Sequence, residues 1–166
     1  MNINNDLAMT LKSIPWFYDL PQDQLEALST IARYCDIPAG AVLFEEGSRT
    51  DVLYILLEGQ LDLETFVPTR GTVSIYQAEP LDIIGWSCMT PVVRQRTATA
   101  RAITACHMVC FDADELINAC DENSQLGYVV MRRIANVIAS RLLTNRLELF
   151  DIIVHQPSKT LPTTQE

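Results

Sequence analysis

Arg96 and Thr97 stand eleven and twelve positions after Gly85, in the run I-G-W-S-C-M-T-P-V-V-R-Q-R-T-A-T that spans residues 84 to 99. In that order a glycine allows a tight turn, and Ser87 and Cys88 can open a helix whose first amides lack intrahelical partners. The Arg-Thr pair then adds a fork of charged N–H donors and a hydroxyl. Such a set suits the burial of a small anion, a phosphate above all. The competing reading of Arg96 is an ion pair with an acidic neighbour such as Glu58 or Asp82. Cys88 also has two readings. Beside a helix start and an arginine its thiol could have a lowered pKa and sense oxidants, or it is a small apolar residue. Chemistry of other kinds finds little support. His107 sits on a strand pattern between Cys106 and Met108 and His155 lies near the end of the chain, so the two histidines do not build a three-histidine metal site. No Ser-His-Asp or Cys-His set is marked by spacing, and the expectation is a protein without catalytic residues or a metal.

These residues sit in a chain of 166 residues, 48% hydrophobic, enough for one full core and short for two ordinary domains. Twelve Lys and Arg against 21 Asp and Glu leave a net charge of −9, which argues against direct binding of DNA or RNA. The start M-N-I-N-N-D-L-A-M-T has neither a basic n-region nor an apolar h-region, and no run of about 18 apolar residues follows, so a cytoplasmic protein without a membrane partner is expected. Five cysteines at 35, 88, 106, 110 and 120 lack C-x-x-C spacing and read as buried thiols rather than disulfides or a zinc site.

The pattern along the chain changes twice. Pro21 opens a short amphipathic helix as its first residue, with Leu25, Leu28, Ile31 and Ala32 at helical spacing. From Tyr34 to Phe111 short apolar runs alternate with breaks, and glycines at 40, 47, 59 and 71 mark the corners of an antiparallel roll or barrel. One of these runs is read as continuous from Thr97 to Phe111. After Asp112 comes a short capped helix, and Asn123-Ser124 can cap a longer one reaching about Val154. On it Met131, Ala135, Ile138, Leu142, Asn145, Leu149 and Ile152 alternate steps of four and three, while Ile134, Val137 and Leu143 widen the apolar face. So wide a face needs two surfaces, the roll and a second copy of the chain, and a homodimer is expected. Asn145 either fixes the register of that dimer or lies near solvent. Residues 1–154 are thus read as one domain, and the polar, proline-rich stretch 155–166 as a disordered tail.

The order of these signals is similar to that of the cyclic nucleotide-binding domain family, over nearly the whole chain. The resemblance rests on the P-x-G turn at Pro38 and Gly40, the apolar pair Leu43-Phe44 before Glu45-Glu46-Gly47, and Asp51 before L-Y-I-L-L-E-G at 53–59. Gly71 and the phosphate cassette complete it: Ile84, Gly85, Trp86, Ser87, Cys88 and Met89 align with F-G-E-x-A-L, and Arg96-Thr97-Ala98-Thr99 with R-[ST]-A-T. It implies a mainly β fold with flanking helices, an antiparallel double-stranded β-helix (jelly roll or β-roll) followed by a long C-terminal dimerisation helix. It also implies a ligand site at Gly85, Trp86, Ser87, Cys88, Arg96 and Thr97, with Asn145 and Arg146 as candidates for contacting a base.

Trp86 departs from the family, whose glutamate accepts hydrogen bonds from a ribose hydroxyl. Tryptophan has no acceptor, and loss of a charge-assisted bond of roughly 1.5–3 kcal/mol weakens a nucleotide about 10- to 150-fold. The function so implied is non-catalytic sensing of a phosphate-bearing ligand, a cyclic nucleotide or relative, signalled through the dimer helix to another protein. The alternative is a ligand-free dimeric scaffold or protein-interaction module with its pocket closed by Trp86. Relatives of the catabolite activator type continue into a winged helix-turn-helix, whereas this sequence ends about a dozen residues after its helix, so the expectation is not a transcription factor by itself.

Overall fold

The structure, a computed structural model, describes residues 3–49, 51–90, 92–93 and 95–155. It divides into two units, residues 1–134 and 135–166. The first unit opens with α1 (Ile3–Ser13) and α2 (Gln22–Ile31), followed by β1 (Ala32–Ile37), β2 (Val42–Phe44), β3 (Val52–Glu58), β4 (Leu61–Val67) and β5 (Gly71–Ala78). Then come β6 (Ile83–Ile84), a single 3₁₀ turn (Trp86–Met89), β7 (Thr99–Ala102), β8 (Cys106–Asp112), α3 (Ala113–Glu122) and the start of α4 (Ser124–His155). The strands form two four-stranded antiparallel sheets, ordered β1-β8-β3-β6 and β2-β7-β4-β5. This is the expected β-roll with flanking helices and a long final helix.

The central strands of the first sheet are covered on both faces, which explains their nearly unbroken apolar sequences. On β3 and β8, Tyr54, Leu56, Cys106 and Met108 face the roll interior, packed with Leu61, Leu63, Ile84 and Ala100. The alternate residues Leu53, Ile55 and Phe111 point the other way, toward Phe17, Leu116, Val130 and Ile134. Leu126, Val130 and Ile134, four apart, therefore form the buried stripe of α4. Both later helices begin as expected. Asp112 accepts from the amides of Asp114 and Glu115, and Asn123 from those of Gln125 and Leu126.

Two expectations are corrected. Pro21 is the N-cap and not the first helical residue: its ψ of 153° is extended, while its carbonyl already accepts from Gln24 and Leu25. Ala32, expected to end that helix, begins β1 instead. The apolar run through Phe111 is not one strand. It turns at Ile103–Ala105, leaving β7 in one sheet and β8 in the other, and the corner is tied to the β3–β4 hairpin by bonds from the Ile103 amide to the Gln60 carbonyl (2.8 Å) and from the Gln60 amide to the Thr104 hydroxyl (3.0 Å). Gly59 makes that approach possible, since a Cβ there would lie 2.3 Å from the Ala105 carbonyl oxygen.

In the second unit α4 continues to His155, one residue past the expected end; the rest of the expected tail, 156–166, lies outside the described residues. Leu142, Leu143, Leu147, Leu149, Phe150 and Val154 there are 50–76% exposed. No helix among the described residues is long and apolar enough to cross a membrane.

Candidate ligand-binding site

The site is built where β6 ends. Gly85 leaves the strand with φ +78°, and the chain folds into the 3₁₀ turn with Ser87, Cys88 and Met89 buried and Trp86 half-buried. The expected helix N-terminus is thus a single turn, and the Cys88 amide is already spent on the Gly85 carbonyl at 3.2 Å. The Ser87 carbonyl accepts from both the amide and the hydroxyl of Thr90, which closes the turn.

Arg96 approaches from the other side. Its backbone is pinned in both directions, donating to the Ser48 carbonyl and accepting from the Gly47 amide, each at 2.8 Å. The residue is only 3% exposed. Its Nη1 donates to the Gly85 carbonyl at 2.9 Å and its Nη2 to the Val52 carbonyl at 2.6 Å, while the guanidinium carbon lies 4.3 Å above the Phe44 ring. Gly85 is obligatory here, because a Cβ would fall 2.2 Å from Nη1 and 2.9 Å from the Val52 oxygen.

This guanidinium has no carboxylate partner at hydrogen-bond distance among the described residues. The nearest ion-pair partner is Asp51, at 4.0 Å and itself 72% exposed. The pairing with Glu58 or Asp82 is not formed, since Asp82 accepts instead from the Tyr76 hydroxyl and the Glu79 amide. The buried Nε has no acceptor. Burial lowers the pKa of Arg96, opposed by Cys88, Tyr54 and Asp51 nearby, and for so strong a base the charge is kept. The same burial pushes the phenol of Tyr54, whose ring stacks on Phe44, up to about 12.

The structure joins Gly85 to Arg96 by a hydrogen bond and sets Cys88 within reach of the Arg96 charge, while Trp86 and Ser87 lie in the same turn and Thr97 is exposed next to Arg96 in the chain. Asn145 and Arg146 belong to the second unit, where both are exposed and Arg146 lies over Phe150 at 5.4 Å. The oxidant-sensing reading of Cys88 gains no support: its side chain is buried, and that burial pushes its thiol up to about 11, the Arg96 charge only partly opposing this. His107 has a structural place, bonded to Asp36 at 2.6 Å and stacked on Tyr34. Sequence reasoning missed Phe44 as a platform and the Val52 carbonyl as an anchor. The first stood in view only as half of an apolar pair, and a backbone carbonyl leaves no mark in residue type.

Two four-stranded antiparallel sheets, flanking helices and a buried arginine against a left-handed glycine turn define the β-roll class of regulatory domain. The profile described as "Cyclic nucleotide-binding domain" matches residues 35–123, more than half of the chain, and the chain belongs to that family. It is 27% identical over 138 residues to the CRP-like cAMP-activated global transcriptional regulator of Mycobacterium tuberculosis, covering 82% of this chain. It spans 59% of the length of that curated relative. Among solved structures, a protein of Geobacter metallireducens assigned to cyclic nucleotide binding is 27% identical with a TM-score of 0.71, over 81% of this chain and 97% of the other. A cyclic nucleotide-binding domain from Methylobacillus flagellatus, 20% identical, has a TM-score of 0.74 over 95% and 86% of the two chains and speaks to the fold.

Proposed function

We propose that this chain is a non-catalytic regulatory module that binds a small phosphate-bearing ligand, a cyclic nucleotide or relative, at Gly85–Cys88, Arg96 and Thr97. Occupancy of the roll is signalled through α4, within a homodimer, to another protein. One observation carries this reading. A guanidinium only 3% exposed, whose nearest carboxylate among the described residues is the exposed Asp51 at 4.0 Å and whose Nε lacks an acceptor, is a buried positive charge only weakly compensated. Isolated buried charge is costly, and an anion at that point supplies both the missing charge and the missing acceptor. The acidic composition does not favour nucleic acid as a direct partner of these residues, and the ligand is read as small.

A second reading has its own observation. Both Nη groups already donate to backbone carbonyls, and Trp86 has no acceptor for a ribose, so the cassette is satisfied enough to persist as a ligand-free scaffold. Titration separates the two. In a Trp16→Phe background, Trp86 fluorescence should change saturably with cAMP or cGMP, and Trp86→Glu should tighten cAMP about 10- to 150-fold. No fluorescence or calorimetric response to millimolar cAMP, cGMP or cyclic dinucleotide, in either the parent or Trp86→Glu, leaves the scaffold reading standing and removes the first.

A further inference from the structure

Behind the cassette turn lies a cavity of about 550 Å³, walled by Cys88, Met89 and Thr90 on one side and by the α3–α4 elbow on the other. Its size is that of small-molecule sites. The elbow is tightly packed: Gly127 crosses so close to α3 that a Cβ would meet the Cys120 carbonyl oxygen at 2.7 Å. Met89, Ile117 and Met131 make the lining apolar and adaptable. Its two thiols are neutral, because burial pushes Cys88 and Cys120 up to about 11, with Asp121 raising Cys120 further.

The elbow side of the cavity is acidic, while the Arg96 charge acts on the Cys88 wall opposite it. Asp121 is the charged wall residue among the described ones, and it forms no ion pair there. It lies in the last turn of α3, which ends in Asp121 and Glu122 and carries no basic residue. A helix C-terminus already presents carbonyls and partial negative charge, so two carboxylates there leave a potential that a cation would relieve. Thr90 and Ser124 add hydroxyls at the rim.

We propose that this cavity is a binding site for an organic amine, an apolar body seated against Met89, Ile117 and Met131 with its ammonium group toward Asp121 and the C-terminus of α3. The cavity backs onto the anion cradle and shares Cys88 with it, but Arg96 is not among its described walls and an amine there does not depend on the nucleotide reading.

Three indoles of matched body and different head test it by calorimetry on the full chain: tryptamine, tryptophol and indole-3-propionate. Tryptamine should bind saturably with one site per chain, at least about fivefold more tightly than tryptophol, with indole-3-propionate weakest. Asp121→Asn, a change at an exposed side chain, should bring tryptamine to the level of tryptophol. Saturating tryptamine should also slow alkylation of Cys120 relative to Cys35 in the parent protein. Absence of saturable binding, equal binding of all three heads, a charge preference that survives Asp121→Asn, or unprotected Cys120 each overturns the proposal.

Discussion

Around Arg96 the chain encloses a charge, whereas from Ala135 onward α4 exposes apolar side chains. In the first region the carbonyls of Gly85 and Val52 converge on one guanidinium, and Phe44 covers it. In the second, six large apolar residues are at least half exposed, so that stretch of helix gains little from the hydrophobic effect as a single chain. The two regions lack opposite things. The roll buries a guanidinium whose nearest carboxylate among the described residues is the exposed Asp51 at 4.0 Å, the feature on which the proposed ligand rests. The helix instead leaves large apolar side chains exposed, the feature on which the proposed dimer rests.

The largest effects should come from breaking the enclosed region. Arg96→Ala strands the Val52 carbonyl, removes a donor from that of Gly85 and uncovers Phe44. It should cost about 3 kcal/mol and lower the melting temperature by about 6–12 °C in calorimetry without ligand. A loss under about 1 kcal/mol would mean the guanidinium contributes nothing to the fold and is held only for a ligand. Gly85→Ala should come next, at about 2 kcal/mol, from a non-glycine residue at φ +78° and a Cβ forced against Arg96 and the Val52 oxygen.

The helix should behave in the contrary way. Replacing Leu142 and Leu149 together with glutamate changes two exposed positions, so the melting of the roll should shift by no more than about 0.5 kcal/mol. Sedimentation should nevertheless show the parent as a dimer and the double variant as a monomer. A parent that sediments as a monomer at high micromolar concentration removes the homodimer from the proposed function.

How far each region could be read from sequence follows the same division. The roll was legible because its corners are glycines at set intervals and its capped helices begin with Asp112 and Asn123, whose side-chain chemistry marks them. The position of Arg96 was legible too, but its partners were not, since two of them are carbonyls supplied by Gly85 and Val52 irrespective of side chain. Pro21 was misplaced by one residue because its fixed φ suits an N-cap as well as the first helical position. The turn between β7 and β8 was missed because Ile103 and Ala105 look like strand residues, and what bends the chain there is Gly59, more than forty positions earlier. On α4 the heptad-like pattern was visible throughout, yet the stripe that is buried, Leu126, Val130 and Ile134, lies beside the seam and not on it.

Alkaline pH offers a milder way to separate the regions. Burial raises Cys88, Cys110 and Cys120 from 9.0 to about 11, and all three lie in the first unit. Raised thiol pKa values mean that the unfolded chain loses protons before the folded one. The stability they lend is therefore fully present below about pH 9 and is lost as pH climbs toward about 11. Tyr54, held up to about 12, extends the same trend above pH 10. The described stretch of α4 beyond Ile134 contains no cysteine or tyrosine, so its association should be less sensitive over the lower part of that range. Urea denaturation should show the roll constant from pH 7.5 to 8.5 and progressively weaker from pH 9 to 10.5, with the decline reduced in Cys88→Ala. A flat profile to pH 10.5 would mean that water reaches these thiols and that their burial does not hold them protonated.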